Sequence, residues 1–341
     1  MSTAPEQVAG VAAAFGRARP AVGTTPADVV YRENKWSVLR YRARPSGLAF
    51  RTPVLLIPSL INRHYVLDLM PGKSFAEHLV SAGHDVYCID WGTPGDEDRF
   101  VTFDDVVDRA IARSLRVVTR TAGSPKAHVL GYCLGGLFAV IHAAAHQERI
   151  ASLTLVAAPV RFDDGGLLAR WTQTPTFDVT ALVSAMGNVP WQLMQGAFHL
   201  LRPTMSLAKA VSLVHRATDD TFLDGFFALE TWGNDNVSFP GECYRTYIDE
   251  LYRKNALWDD RFSLSGRPAR LSSIACPVHA ITFEHDNIVP WKSASCVLDR
   301  VSSSDKAHLH VPGGHVGAMV ASSAKKKLWP SIEQFWASRD A

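Results

Sequence analysis

Long apolar runs are missing from this 341-residue chain, and no stretch approaches the roughly 20 residues needed to span a bilayer. Cysteine is scarce. The 5 cysteines form no C-x-x-C pair and are odd in number, which argues against a disulfide framework or a zinc site and for a reducing cytosol. An excess of one charge is lacking too. The 35 Lys and Arg against 33 Asp and Glu leave a formal net charge of +2, so no strong field points to nucleic acid or an acidic partner. The run Lys325-Lys326-Lys327 reads as the solvated start of a last helix. No basic region followed by an apolar stretch opens the chain, so no signal peptide is expected. These gaps predict a soluble, cytoplasmic protein. What is present is apolar substance: a hydrophobic content of 47% suffices for one large domain or a core with an inserted cap.

Residues 1–26, rich in Ala, Gly, Thr and Pro, read as a flexible N-terminal arm. The stretch from Asn34 to Arg42 alternates like a half-exposed strand. Val54-Leu55-Leu56-Ile57 is a short apolar run, as a buried central strand would be. Helix over 74–82, strand over 85–89, helix over 103–120, and strands over 127–130 and 153–157 follow. Such alternation predicts a mostly parallel, doubly wound α/β sheet. The rhythm breaks over 162–271, where patterning is mostly helical and aromatics are frequent, among them Trp171, Phe177, Trp191, Phe198, Phe222, Phe226, Phe227, Trp232 and Tyr244. It resumes with a strand over 278–283, a helix over 291–300, a strand over 307–310 and a final helix through Trp336. The expected organisation is a core of 27–161 and 272–341 with a cap of 162–271 over the strand ends, where open α/β sheets place their ligands.

The most informative stretch is Gly131-Tyr132-Cys133-Leu134-Gly135, a G-x-S-x-G nucleophile elbow with cysteine in place of serine. In such an elbow a strand turns sharply into a helix, and a Cβ two residues to either side would collide with its neighbours. Strand-like His128-Val129-Leu130 precedes it and helix-like Phe138-Ala139-Val140-Ile141 follows, the order the motif requires. A buried structural cysteine beside a glycine turn is the bland alternative. The elbow predicts a cysteine nucleophile.

A nucleophilic thiol needs a base, and the base an orienting carboxylate. In the α/β-hydrolase order these follow the nucleophile, acid first, on loops after late strands. Glu284-His285-Asp286-Asn287 follows the strand over 278–283, and Gly313-Gly314-His315 follows the one over 307–310. Asp286 and His315 therefore stand where acid and base belong, with Glu284 and His285 as competitors for the acid loop. The oxyanion hole is expected from the backbone N–H of Leu134, aided by the helix N-terminus, and from a second N–H in Leu60-Ile61-Asn62. Asn62 also reads simply as a turn residue.

At these residues the chain resembles the polyhydroxyalkanoate synthases, most closely the short catalytic subunit of the two-subunit class. The likeness runs from about Thr25 to Phe335. It covers 30–35, 60–69, 86–95, the elbow, Met186-Gly187-Asn188-Val189-Pro190 and Gly313-Gly314-His315. The resemblance implies an α/β-hydrolase fold and Cys133 as the acylated nucleophile, with Asp286 and His315 as its partners. It implies (R)-3-hydroxyacyl-CoA as substrate, no metal or redox cofactor, a growing polyester chain at a granule surface, a homo-oligomer and a separate helper subunit. Two departures stand out. Family members have histidine just after the catalytic aspartate, where this chain has Asn287, and 229–242 resembles the family only loosely.

Chemistry independently favours transfer over hydrolysis. A thiolate that attacks a CoA thioester stores the acyl group as another thioester, which stays activated towards an incoming hydroxyl. A dry cap would favour that hydroxyl over water. The rival readings are a cysteine-dependent esterase or thioesterase of the same fold, and an inactive granule-associated homologue.

Overall fold

The computed structural model describes residues 10, 11, 13–321 and 323–340. Its centre is an eight-stranded sheet. Strands β1 (Ala27–Glu33) and β2 (Trp36–Tyr41) form an antiparallel hairpin, followed by β3 (Val54–Ile57), β4 (Val86–Asp90), β5 (Ala127–Tyr132) and β6 (Ile150–Val156). A two-stranded hairpin, β7 (Ser263–Leu264) and β8 (Arg267–Pro268), lies apart from this sheet. The chain then re-enters the sheet as β9 (Val278–Phe283) and β10 (Lys306–Val311). The order is β1-β2-β4-β3-β5-β6-β9-β10, and every pairing from β4 to β10 is parallel. This is the α/β-hydrolase arrangement.

The central strands form where they do because their residues are apolar on both faces. All of β3, β5 and β9 is buried, and helices cover both sides of the sheet. Local signals set the helix ends. Phe75–Ala82 starts at Ser74, whose hydroxyl accepts from Glu77 N–H at 2.8 Å, and stops at Gly83 in the left-handed region. The helix expected over 103–120 begins as a π-helix, Asp105–Ala110, and continues as α-helix Ile111–Ala122. The run Lys325-Lys326-Lys327 is exposed and leads into the last helix, Leu328–Ala337.

Two features depart from local reading. Strand β1 lies where no strand was expected. It is an edge strand with no fully buried residue, so it has no core-facing side to imprint an apolar alternation. The expected arm falls partly on residues 1–9 and 12, outside the described residues; much of its described part is held in place. Ala14 is buried, Arg17 pairs with Asp220 and Asp224 at 2.5 and 2.7 Å, and the rings of Phe15 and Phe227 meet edge to face. Thr25 bonds the buried Asp68 carboxylate through both its N–H and its hydroxyl.

Between β6 and β9 the chain leaves the sheet. The first part of this excursion is a run of helices, Leu167–Gln173, Val179–Met186, Trp191–Leu201, Met205–His215 and Asp220–Asn234. The second part returns to the body of the fold. Phe239, Cys243, Ile248, Leu251, Leu257 and Phe262 join the apolar cluster that contains the helix after the elbow. Among the described residues, no helix is long and apolar enough to cross a membrane.

Candidate active site

Cys133 sits between β5 and helix Leu134–Ala145 with φ 55° and ψ −122°, in the region that L-residues rarely adopt. The glycines make that turn possible. A Cβ on Gly135 would lie 2.1 Å from the Ile57 carbonyl oxygen, and one on Gly131 would lie 2.5 Å from Gly136 Cα. The elbow can therefore pack against β3 and its own helix only without side chains there. Leu134 opens the helix, so its N–H belongs to the first turn, where backbone donors have no intrahelical partner.

The loops after β9 and β10 meet beside this elbow. Asp286 Oδ2 accepts a hydrogen bond from His315 Nδ1 at 2.6 Å, while Oδ1 accepts from Ile288 N–H at 2.9 Å and Val289 N–H at 2.8 Å. The Asp286 side chain is 1% exposed and that of His315 7%. Asp286 is thus fixed by three donors, and His315 is fixed by Asp286. Tyr132 adds a third hold: its ring stacks on the imidazole at 5.5 Å and its hydroxyl donates to the His315 carbonyl at 3.2 Å. The competitors diverge. Glu284 and His285 are exposed, and Asn287, also exposed, reaches only the His285 carbonyl.

His315 Nε2 is buried and has no hydrogen-bond partner of ordinary geometry among the described residues. Burial opposes a charged imidazolium here. The negative charge of a Cys133 thiolate and that of Asp286 outweigh it and hold His315 up to about 10. Cys133 and His315 are thus electrostatically coupled. Such an arrangement can store a thiolate beside an imidazolium and pass a proton between a leaving group and an incoming one.

The loop after β3 is placed differently. Ile61 is buried and its carbonyl accepts from Val237 N–H at 3.2 Å. Asn62 turns its side-chain amide to Asn236 Oδ1, so its side chain is engaged by the inserted segment.

Residues that local reading passed over complete the surroundings. The rings of Tyr247 and Tyr252 meet at 5.2 Å, and both hydroxyls feel the Cys133 charge, which adds to burial in raising them. The Arg202 guanidinium lies against Gly314, 3.9 Å from where a Cβ would stand. Only the spacing of the three tyrosines after Pro240-Gly241 could have hinted at the first, and nothing local at the second. Of the aromatics in the insertion, Phe226 and Phe227 pack on each other at 5.4 Å, and Phe227 also holds Arg19 and Phe15.

The sequence matches a family described as the alpha/beta hydrolase fold over residues 52–321, and the N-terminus of poly-beta-hydroxybutyrate polymerase over 12–79. A poly(3-hydroxyalkanoate) polymerase subunit PhaC from Haloferax mediterranei is 34% identical over 93% of this chain, which spans 65% of that relative. The protein of the same name from Allochromatium vinosum is 33% identical, with 91% of this chain and 88% of the relative covered. Solved structures show the same fold at lower identity. A monoacylglycerol lipase from Paleococcus ferrophilus superposes with a TM-score of 0.55 at 19% identity, over 86% of this chain and 96% of the lipase. A thermophilic esterase from Thermogutta terrifontis gives 0.54 at 14%, over 92% and 98%.

Proposed function

The chain belongs to the poly(3-hydroxyalkanoate) polymerase family, the polyester synthases built on the α/β-hydrolase fold, and from that premise we propose that it polymerises (R)-3-hydroxyacyl-CoA through an acyl group carried on Cys133. The observation that carries this reading is a cysteine at the strained elbow, coupled to a histidine that a buried aspartate holds at 2.6 Å.

In the first step the Cys133 thiolate adds to the thioester carbonyl, and the oxyanion is met by N–H groups of Leu134 and of the Ile61–Asn62 loop. The bond to CoA sulfur breaks, and the His315 imidazolium gives its Nε2 proton to the departing thiolate. Acylation removes the negative charge beside His315, which supports its raised affinity for protons. A neutral His315 is then the base for the second step. It takes the proton of an incoming 3-hydroxyl, whose oxygen attacks the acyl–Cys133 carbonyl; an ester forms and the thiolate is restored. Asp286 steadies the imidazolium at Nδ1 throughout. CoA is part of the substrate and a product, and neither step needs a metal or redox cofactor.

Arg202, beside the His315 loop, supports an anionic phosphate-bearing substrate. A second copy of this chain, a helper subunit and the surface of a cytoplasmic polyester granule are the proposed partners. Exposed apolar side chains on the inserted helices, including Leu200, Leu207 and Val211, support a surface that meets another. A strictly monomeric protein at full activity in size-exclusion chromatography would remove the second copy.

Purified protein and 3-hydroxybutyryl-CoA test the reaction. Polymer with CoA release supports it. Free hydroxy acid instead of polymer points to a thioesterase, and no CoA release to an inactive homologue.

A further inference from the structure

The loop after β3 carries one side of the expected oxyanion hole, yet its own contacts lie mainly in the inserted segment, some 170 residues further along the chain. Asn62 pairs with Asn236 both as an isolated antiparallel bridge and through its side-chain amide. The Asp235 carboxylate accepts from Arg63 Nε at 3.0 Å and from the Tyr65 hydroxyl at 2.8 Å. Trp232 Nε1 donates to the Arg63 carbonyl at 2.9 Å, and Val237 N–H donates to the Ile61 carbonyl. Five hydrogen bonds thus tie Ile61, Asn62, Arg63 and Tyr65 to 232–237.

The Ile61 bond has a specific consequence. In a trans peptide the C=O of one residue and the N–H of the next point in opposite directions within one plane. Fixing the Ile61 carbonyl on Val237 therefore fixes the direction of the Asn62 N–H. If the inserted segment moves away, that peptide plane is free to turn, and a displaced donor no longer meets developing negative charge.

We propose that Asn236 and Asp235 are positioning residues: by docking on 61–65 they set the backbone donor of the oxyanion hole, so the hole is complete only while 232–237 is seated. The proposal rests on the acyl-transfer reading for the identity of the acyl donor, but not for the coupling itself. Admission of substrate past the inserted helices and stabilisation of the oxyanion then become linked events, because one segment serves both.

The test compares two reactions of the same thiol. Acylation by a thioester or ester passes through an oxyanion; alkylation by iodoacetamide is a displacement that forms none. Acylation rates per titrated Cys133 are measured with 3-hydroxybutyryl-CoA and with p-nitrophenyl acetate, beside the iodoacetamide rate. Asn236→Ala should slow acylation by both donors about tenfold or more, and the double variant Asp235→Ala/Asn236→Ala further, within the range set by loss of one oxyanion donor, about 10²–10³. Alkylation should stay within about twofold, with kcat rather than KM carrying the loss. Asn236→Asp keeps an acceptor oxygen for the Asn62 amide and should recover most of the acylation rate. Equal slowing of acylation and alkylation would mean a general disturbance of the site and overturn the proposal; so would no change in either. A wild-type protein acylated by the ester but not by the CoA thioester would refute the substrate reading and leave this comparison to be decided on the ester. One that neither donor acylates would overturn both.

Discussion

The elbow and the first half of the insertion obey opposite physics. In helix Leu134–Ala145 every residue from Leu134 to Ala144 is buried, and the glycines that begin it touch backbone. In the inserted helices Trp191–Leu201 and Met205–His215 only Leu201 and Leu213 are buried, and Leu200 and Leu207 stand 64% and 68% exposed. One region is determined by close packing, where an added methyl has nowhere to go. The other has apolar surface to spare and space around its backbone. The comparison teaches that this chain places its backbone strain where packing overdetermines geometry, and leaves exposed apolar surface where packing is loose.

Chemistry should break most completely at the elbow. Cys133→Ala is expected to abolish acyl-enzyme formation and CoA release while circular dichroism and thermal unfolding stay near wild type, since only a sulfur is lost. Retention of wild-type turnover in that variant would remove Cys133 from the mechanism. His315→Ala belongs to the same unit; it should slow iodoacetamide alkylation of Cys133 as well as acylation, and an unchanged alkylation rate would show the two side chains to be uncoupled.

Asp286→Asn should act less uniformly. The amide can still accept from Ile288 and Val289 but presents the wrong partner to His315 Nδ1. A burst of about one CoA per site should survive, because a thiol ionises more readily than a hydroxyl, while elongation falls about a hundredfold or more. Rapid-quench measurement of CoA decides it: no burst would reject an elongation-specific role, and normal polymer growth would exclude Asp286 altogether.

Acid should separate the two regions by stability. His84, His128, His142 and His279 are buried around the sheet, and desolvation lowers each to about 4. The unfolded chain binds these protons near 6.5 and the folded one near 4, so stability is full above about pH 6.5 and falls as pH drops from there towards 4. The summed loss should be on the order of several kcal/mol. His199 and His215, on the inserted helices, are by contrast exposed. Denaturant midpoints at pH 7.5 and 5 measure this; equal midpoints would show that these histidines do not resist protonation.

A matched pair of glycines sharpens the contrast at its smaller end. Gly135→Ala drives a Cβ into the Ile57 carbonyl and should cost about 3 kcal/mol or leave the protein insoluble. Gly196→Ala, in a helix interior with nothing within 4 Å, should instead stabilise by about 0.5–1 kcal/mol. Urea titrations of both variants check the signs, and a harmless alanine at 135 would mean that the elbow is looser than its geometry.

Local pattern was enough wherever burial repeats along the chain. The runs that became β3, β5, β6 and β9 are apolar because both faces of a parallel strand are covered, and the Gly-x-Cys-x-Gly spacing reports a turn that tolerates no Cβ. From these the strand–helix order, the elbow, and the loops bearing Asp286 and His315 could be read directly. The rest depended on closure across long stretches of chain. Strand β1 owes its existence to the neighbouring β2 and carries no buried side of its own. Which side chain of the loop meets His315 depends on how the returning loop turns: Asp286 bonds Nδ1, while Glu284 and His285 are exposed. Asn62, equally readable as an oxyanion or a turn residue, found its partner at Asn236, and Arg17 found Asp220 and Asp224, more than 170 and 200 residues away respectively. Hydrophobic periodicity records how each residue meets its own layer; it holds no address for a partner that only the folded chain brings near.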